Sequence, residues 1–331
     1  MQVIPKVAIV LLVVGCAAAA QPPPLTVATG NHGQLPEMVA SVGYRDWEGL
    51  PEFSVFANGS TIINATLDPA LTSTVIKPSA AKSLKITELP TPVAFTFLGS
   101  SYTAPHSVTV NLAFSNSNAV PVSAGLLNLM ASLSPERAHR PDAPAVWLGY
   151  SFLKQFQVRV NPGSHIIEFL PGSLKLKLDH GALVVKFVAN TPVPTVKVAV
   201  PGSPPFNAVI SLTSPVTVLP ATVIARLAGD VPVKIPVRLP NGTVTHVEGV
   251  KVAWLAVDRA KVNDMQVLGA DAASAGVAGP TALLGMDFLQ HFKFTMDFVG
   301  GRLVLEPLAP PAMPLAVKPV SPNAHDGFNP R

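Results

Sequence analysis

The chain of 331 residues contains one cysteine, so it cannot form an internal disulfide. Charged residues make up only 13% of the sequence and aromatic residues 6%, and the formal net charge is +4. Lysine and arginine are scattered rather than gathered in a stripe with interleaved aromatics, which argues against binding to nucleic acid. The eight histidines are isolated, with no pair at i, i+4. The sequence therefore predicts no metal site and no cofactor.

Two familiar signatures of enzymes are also missing from the chain. It has no Gly-x-Ser-x-Gly nucleophile elbow and no glycine loop of the kind that binds phosphate. What it does have is apolar material, at 48% of the residues, together with 35 prolines. This composition excludes a disordered chain and disfavours long helices, so it indicates packed domains of short strands joined by fixed turns.

The first twenty residues form a targeting signal. MQVIPK carries a positive charge, VAIVLLVV at 7–14 is too short to span a bilayer, and VVGCAAAA follows it. Small residues before Cys16 resemble a bacterial lipobox, in which the cysteine becomes the lipidated first residue. The alternative is ordinary cleavage after the alanine run at 17–20. We expect export to the periplasm or cell envelope, with a membrane anchor at Cys16 or secretion without one.

The sequence is internally repeated. WLGYSFLKQFQVRVNPGSHIIEFLP at 147–171 matches LLGMDFLQHFKFTMDFVGGRLVLEP at 283–307 without a gap, and an offset of 136 pairs Gly149 with Gly285. Each copy continues with Phe-Leu-x-x-Phe. Phenylalanines at i and i+4 lie on one face of a helical turn, so these rings are predicted to anchor a core.

The upstream halves also correspond. A strand, a turn, a second strand, a loop and an apolar strand follow one another from Glu52 and again from Thr195, which places Asp68 opposite Ser211 at an offset of 143. Asn58-Gly59 and Asn241-Gly242 predict hairpin turns.

The predicted organisation has five parts. They are a signal peptide (1–20), a tether and N-terminal arm (21–50), a first lobe (51–175), a second lobe (176–307) and a Pro-rich disordered tail (308–331).

This pattern resembles the retropepsin-like and pepsin-like aspartic peptidases. Each lobe of that family carries a strand, an Asp-Thr/Ser-Gly loop, a second strand and later an apolar-apolar-Gly segment, which WLG at 147–149 and LLG at 283–285 match. The resemblance implies an all-β fold of two similar barrel lobes with short helices. It also implies a pair of aspartates that share a proton, one acting as base toward a water and one as acid toward the peptide carbonyl.

The loops depart from that pattern. The first reads Asp68-Pro69-Ala70, without the hydroxyl and the glycine, and the second reads Ser211-Leu212-Thr213, without the acid. A serine hydroxyl cannot replace a carboxylate in a shared-proton pair. The candidate catalytic residue is therefore Asp68 at a degenerate site, with Ser211 in the paired position.

Three functions stay open at this stage. The leading one is an exported, monomeric, catalytically inactive member that binds an extended peptide or polymer between its lobes by strand addition. The second is an active aspartic endopeptidase that uses Asp68, either through a homodimer or with an acid from elsewhere in the chain. The third is a structural envelope lipoprotein. Asp287 and Asp297 are interpreted as scaffold or surface groups, and Asp258, Asp264 and Asp271 lie in a stretch without a glycine-flanked loop.

Overall fold

The computed structural model describes residues 40–47, 49–97, 100–114, 119–129, 140–227, 232–238, 244–270 and 282–308. The predicted signal peptide, Cys16, Asp271, the Asn241-Gly242 turn and the segment 309–331 lie outside these ranges.

The strands, in chain order, are β1 (Ala40–Gly43), β2 (Arg45–Trp47), β3 (Leu50–Ala57), β4 (Thr61–Leu67), β5 (Val75–Ile76), β6 (Val93–Phe97), β7 (Ser100–Ala104), β8 (Ser107–Ala113), β9 (Ala119–Leu126), β10 (Val146–Leu148), β11 (Phe156–Asn161), β12 (Ile166–Pro171), β13 (Leu183–Lys186), β14 (Thr195–Ala199), β15 (Phe206–Ile210), β16 (Val218–Pro220), β17 (Pro232–Arg238), β18 (Val244–Val257), β19 (Ala260–Ala270), β20 (Ala282–Leu284), β21 (Phe292–Asp297) and β22 (Arg302–Pro307). The helices of the described residues are short: α1 (Pro78–Ser83), α2 (Tyr150–Leu153), α3 (Ala221–Arg226) and α4 (Met286–Leu289).

Each half of the chain closes a barrel. In the first lobe the strand order is β3-β4-β10-β5-β9-β8, and β3 pairs with β8 to complete the ring. In the second the order is β14-β15-β20-β16-β19-β18, and β14 pairs with β18. Closure removes the exposed edges that open sheets present. The predicted all-β fold of two similar barrel lobes with short helices is confirmed.

The two barrels share one hydrogen-bonding scheme. Phe53 pairs with Ala65 between β3 and β4, and Val196 pairs with Ala208 between β14 and β15, both shifted by 143. The same shift relates the pairings that close the two barrels. At β10 and β20, and from there onward, the shift is 136, so the second copy is seven residues shorter in the segment that precedes its apolar-apolar-Gly strand.

A six-stranded sheet, in the order β1-β12-β11-β21-β22-β13, joins the lobes. The two halves meet where β11 pairs antiparallel with β21, and β1 and β13 occupy its two edges. The pairings at these edges are again equivalent, since Ala40 lies opposite Phe169 and Leu183 lies opposite Leu305. The segment predicted as an N-terminal arm therefore supplies one strand of this joining sheet, β1, and one strand beside the first barrel, β2.

The repeated phenylalanines lie in the core, as their spacing predicts. Phe152 and Phe288 expose at most 1% of their surface, and Phe156 and Phe292 expose 6%. Phe152 and Phe288 lie on the single-turn helices α2 and α4, which hold together by packing rather than by helix propensity. Phe156 and Phe292 instead begin the strands β11 and β21, so the prediction that each pair lies on one helical face is wrong, because the helix ends before the second ring. Across the described ranges, no helix is both long enough and apolar enough to span a membrane.

One buried carboxylate lies outside the seam between the lobes. Glu52 on β3 is fully buried, and its Oε1 accepts hydrogen bonds from Arg45 Nε at 3.0 Å and Nη2 at 2.6 Å. Its Oε2 is buried and has no partner among the described residues. Burial raises the pKa of Glu52 to about 7, against the opposing effect of Arg45; Asp142 adds to the rise and Arg140 opposes it. The carboxyl therefore takes up its proton near neutral pH.

This pKa predicts a pH-dependent stability. The folded protein holds the Glu52 proton more tightly than the unfolded chain, so the contribution is largest below about pH 4.5 and is lost as the pH rises through about 7. A shift of this size corresponds to roughly 3 kcal/mol at most. Urea unfolding between pH 5 and 8 should show Glu52→Gln gaining stability relative to wild type as the pH rises. Glu88→Gln, at an exposed position, should track wild type throughout.

Candidate functional site at the seam between the lobes

The two equivalent loops that follow β4 and β15 meet at the centre of the molecule. Asp68 comes directly after β4, and its N–H donates to Leu148 O at 3.0 Å. Ser211 comes directly after β15, and its N–H donates to Leu284 O at 3.1 Å. The apolar-apolar-Gly strands thus hold both loops by the same backbone bond, and the two side chains face each other across the seam.

Glycine is required where these strands pass beside the loops. A Cβ on Gly149 would lie 2.7 Å from Leu71 O and from the Ser73 carbonyl, and one on Gly285 would lie 2.7 Å from Val216 C. Both glycines have extended backbones, with φ near −92°, so close approach rather than a left-handed conformation demands them. The Gly pair read from the repeat therefore sets how closely strand and loop can pack.

The Asp68 carboxylate is enclosed by donors. Its Oδ2 accepts from Ser211 Oγ at 2.7 Å, from Thr213 Oγ1 and from Thr213 N at 3.3 Å. Its Oδ1 accepts from Ala70 N at 2.9 Å and from Leu212 N at 3.4 Å. Four of these five bonds cross from the second lobe to the first. We call these five residues the Asp68 cluster.

Burial and hydrogen bonding act in opposite directions on this group. Asp68 is 0% exposed, and burial raises the pKa of its carboxyl above its ordinary value, while the donors from Thr213, Ala70, Ser211 and Leu212 lower it. Three of the five donors are backbone N–H groups, which cannot accept. The enclosure therefore supplies donors to both oxygens of the carboxyl, and it leaves neither oxygen open to solvent.

Ser211 takes part in the enclosure as a neutral group. Its hydroxyl donates to Asp68 and accepts from Ser214 N at 3.1 Å. Every hydrogen-bond partner of Asp68 in the described part of the chain is a hydroxyl or a backbone amide, and none is a second carboxylate. An alcohol and an acid at 2.7 Å form a donor–acceptor pair rather than the shared-proton pair that peptide hydrolysis by this route requires.

The remaining acids lie apart from this cluster. Asp287 accepts from Thr217 Oγ1 at 2.6 Å and from Thr217 N at 2.8 Å, and burial raises its pKa to about 6. Asp297 is 2% exposed and forms an ion pair with Arg302 at 2.8 Å. Asp258 and Asp264 are exposed, and Asp271 lies outside the described residues. Within the described ranges, no group of three His, Cys, Asp or Glu residues could hold a metal ion.

Sequence reasoning missed the contribution of the threonines. Thr74 and Thr217 occupy equivalent positions, and each hydroxyl accepts from the N–H of the threaded glycine, at 3.2 Å from Gly149 and 3.1 Å from Gly285. Thr213, in the position where the family pattern has glycine, supplies two donors to Asp68. The threonines that follow Asp68 and Ser211 in the two aligned loops could have predicted these hydrogen bonds.

A hairpin covers the first loop. Thr72 N–H donates to Thr96 O on β6 at 3.0 Å, and Thr96 N–H donates back to Thr72 Oγ1 at 2.8 Å. Phe97 on the same strand is buried and packs edge to face on Trp147, with 5.7 Å between ring centroids. The β6–β7 hairpin is thus fastened to the loop that begins at Asp68.

Comparison with known proteins supports the fold. A crystal structure of the aspartic proteinase from Irpex lacteus superposes with a TM-score of 0.52 and 13% sequence identity, over 82% of this chain and 97% of that chain. No family model matches the sequence, and no curated protein matches it. The chain therefore has an aspartic-peptidase-like fold, and a likeness at this identity speaks for the fold alone.

The Asp68 cluster should contribute measurably to stability. Thr213→Val removes a hydroxyl that donates to a buried carboxylate, and a hydrogen bond to a charged group is worth about 1.5–3 kcal/mol. We expect the free energy of unfolding, measured by urea denaturation, to fall by that amount. Ser211→Ala should act in the same direction, because it removes the 2.7 Å donor.

The matched control is Thr109→Val, an exposed position on β8. It should change stability by no more than about 0.5 kcal/mol, as most surface substitutions do. If Thr213→Val costs no more than Thr109→Val, the Asp68 enclosure does not stabilise the seam.

Proposed function

We propose that this protein is an exported, non-catalytic relative of the aspartic peptidases that binds an extended peptide between its lobes. The proposal that the protein is non-catalytic rests on the surroundings of Asp68. Its carboxylate is fully buried and accepts five hydrogen bonds, and the equivalent position holds Ser211. Hydrolysis by an aspartate pair needs a second carboxyl and a water within hydrogen-bond reach of both.

Peptide binding is proposed because the geometry beside the seam suits it. The β6–β7 hairpin forms a sheet of its own, beside the first loop, rather than part of a barrel. A two-stranded sheet can accept a further extended segment along an edge, which gives affinity through main-chain hydrogen bonds and selectivity through alternate side chains. The ligand class rests on this geometry and on analogy with the fold.

The location proposed for the protein rests on its first twenty residues. The charged start, the apolar run at 7–14 and the small residues before Cys16 support export with a lipid on that cysteine, and hence a place at the periplasmic or cell-envelope side of a membrane. We propose a monomer, because two fused lobes already occupy the surface through which single-lobe relatives would pair.

A peptide-library digest separates the leading proposal from an active peptidase. Purified wild type and Asp68→Asn are incubated with the library at pH 3.5, 5 and 7, and the products are identified by mass spectrometry. We expect the two product sets to be identical at each pH, because Asp68 has no partner acid. Cleavage by wild type that disappears in Asp68→Asn would show an active endopeptidase.

The same library tests binding in a second measurement. Immobilised wild type should retain a reproducible subset of extended peptides. Thr72→Val, which removes the hydroxyl that accepts from Thr96 N–H and so loosens the β6–β7 hairpin, should retain fewer of them. Failure to retain any peptide, with the protein folded, would favour a structural envelope role instead.

The anchor is tested by expression in a bacterial host. Wild type should appear in the membrane fraction, and its N-terminal peptide should carry the mass of a lipid on Cys16. Cys16→Ser should move the protein to the soluble exported fraction. A soluble wild-type protein whose mature N-terminus lies after residues 17–20 would contradict the lipid anchor and support ordinary cleavage.

A further inference from the structure

A recess of about 480 Å³ opens on the flank of the molecule, between the N-terminal strands of the first lobe and α4 of the second. We call it the lateral recess; its walls include Tyr44, Pro162, Leu212, Met286 and Asp287. It is separate from the proposed peptide site beside β6, and it shares Leu212 with the Asp68 cluster. Its volume falls within the range of small-molecule sites, roughly 300–1,000 Å³.

The duplication gives this recess a counterpart on the other flank, and there the space is filled. The offset of 136 pairs Met286 with Tyr150 and Pro162 with Phe298. Tyr150 and Phe298 pack edge to face, with ring centroids 5.6 Å apart. On the recess side a thioether and a proline ring therefore stand where the other flank has two aromatic rings.

A third pair extends the comparison. The offset of 143 pairs Tyr44 with Phe187. The backbone supports this pair, because Tyr44 N–H donates to His165 O at 2.9 Å and Phe187 N–H donates to Gly301 O at 2.8 Å, and His165 and Gly301 are themselves equivalent at an offset of 136. Phe187 lies 6.2 Å from Phe298 between ring centroids, so three rings close the filled flank.

The recess is therefore open because two of the three paired positions lack the aromatic rings that fill the other flank. The backbone frame is the same on both sides, so the difference comes from side-chain volume at the paired positions. Of the three paired residues on the recess side, Tyr44, Pro162 and Met286, only Tyr44 carries an aromatic ring. Its ring turns toward the His165 imidazole, at 5.2 Å between centroids. A guest with one aromatic ring would restore the packing of the other flank, where aromatic pairs are favoured at centroid distances of about 4.5–7 Å.

The acidic residues that line the recess indicate which charged group a bound aromatic molecule would carry. Asp46 and Asp287 both line the recess, and no lysine or arginine is among its lining residues in the described part of the chain. Asp287 is half-buried and held in place by Thr217. Burial together with the charge of Asp46 raises the pKa of Tyr44 to about 12, so the Tyr44 hydroxyl is neutral and can donate. An ammonium group would meet two carboxylates there, with His165 as the titratable base among the described lining residues.

We propose that the lateral recess binds a small aromatic amine, with its ring between Tyr44, Pro162 and Met286 and its ammonium group directed toward Asp46 and Asp287. The inference concerns a different site from the proposed peptide cleft and holds whether or not the protein cleaves peptides.

The test uses the full chain and four matched probes in calorimetric and NMR titrations. They are 2-phenylethylamine, the neutral 2-phenylethanol, the anionic 3-phenylpropanoate and butylamine, a cation without a ring. We expect 2-phenylethylamine to bind at least about tenfold more tightly than each of the others, and to shift the resonances of residues around the recess. Equal affinity for the amine and the carboxylate would overturn the proposal.

Filling the recess gives the sharper variant. Pro162→Phe with Met286→Tyr installs the two side chains found on the other flank, and it should weaken 2-phenylethylamine binding by at least about tenfold while the thermal unfolding transition stays cooperative. Val299→Phe adds a ring on the filled flank, at an exposed site, and should leave binding unchanged.

The charge is tested separately with Asp46→Asn and Asp287→Asn. Each should weaken the amine more than the neutral alcohol. If Asp287→Asn fails to fold because Thr217 loses one of its two acceptor oxygens, Asp46→Asn and the filled variant still decide the matter. Undiminished amine binding by the filled variant would show that the amine binds elsewhere.

Discussion

The central constraint on this molecule is a carboxylate buried where its two halves meet. An ionised acid removed from water is costly unless hydrogen-bond donors replace the lost solvation. Here most of the replacement comes from the opposite lobe, so Asp68 is satisfied only when the lobes are docked. Each loop is positioned by the glycine of its own lobe, Gly149 or Gly285, because any side chain there would push strand and loop apart. Separation of the lobes would leave a buried carboxyl without four of its five hydrogen bonds.

Duplication supplies the frame, and divergence of side chains within it supplies the differences. The registers of the first hairpin, of barrel closure and of the joining sheet agree between the two halves, yet equivalent positions carry different chemistry. Asp68 faces Ser211 across the seam. Ser151 Oγ accepts from Thr74 N–H at 3.2 Å where the second lobe uses the carboxylate of Asp287 toward Thr217. Backbone hydrogen bonds fix the geometry without reference to side chains, so paired positions can differ in volume and in chemistry while the frame is kept.

Much of the fold follows from local sequence. The repeated Gly and Phe-Leu-x-x-Phe block locates the single-turn helices and the core rings, because both depend on spacing along the chain. Asn58-Gly59 gives the β3–β4 turn, and both residues take positive φ there. The equivalence of Asp68 and Ser211 also follows from local sequence, because each residue comes directly after one of the equivalent strands β4 and β15. These are properties of segments, and each segment determines them by itself.

The features that could not be predicted from the sequence depend on groups that are far apart in the chain. Thr213 reads as an ordinary loop residue, and its two bonds to Asp68 exist only because the second loop crosses the seam. The joining sheet recruits β1 from a segment that looks like an arm, since its short apolar run gains a partner only when β12 is in place. The unpaired oxygen of Glu52 likewise depends on how β2 and β3 pair and are covered in the fold.

Stabilising the seam and cleaving a peptide make opposite demands on Asp68. A catalytic carboxyl must keep lone pairs for a water and must exchange its proton with a neighbour whose pKa is near its own. In this molecule both oxygens are committed to fixed donors, three of which are amides that cannot move without opening a backbone turn. A single Ser211→Asp change would place a second charge against that enclosure without freeing an oxygen. Recovery of catalysis would therefore require the loops to separate first, which is why the proposed functions lie at the hairpin beside the seam and at the open flank.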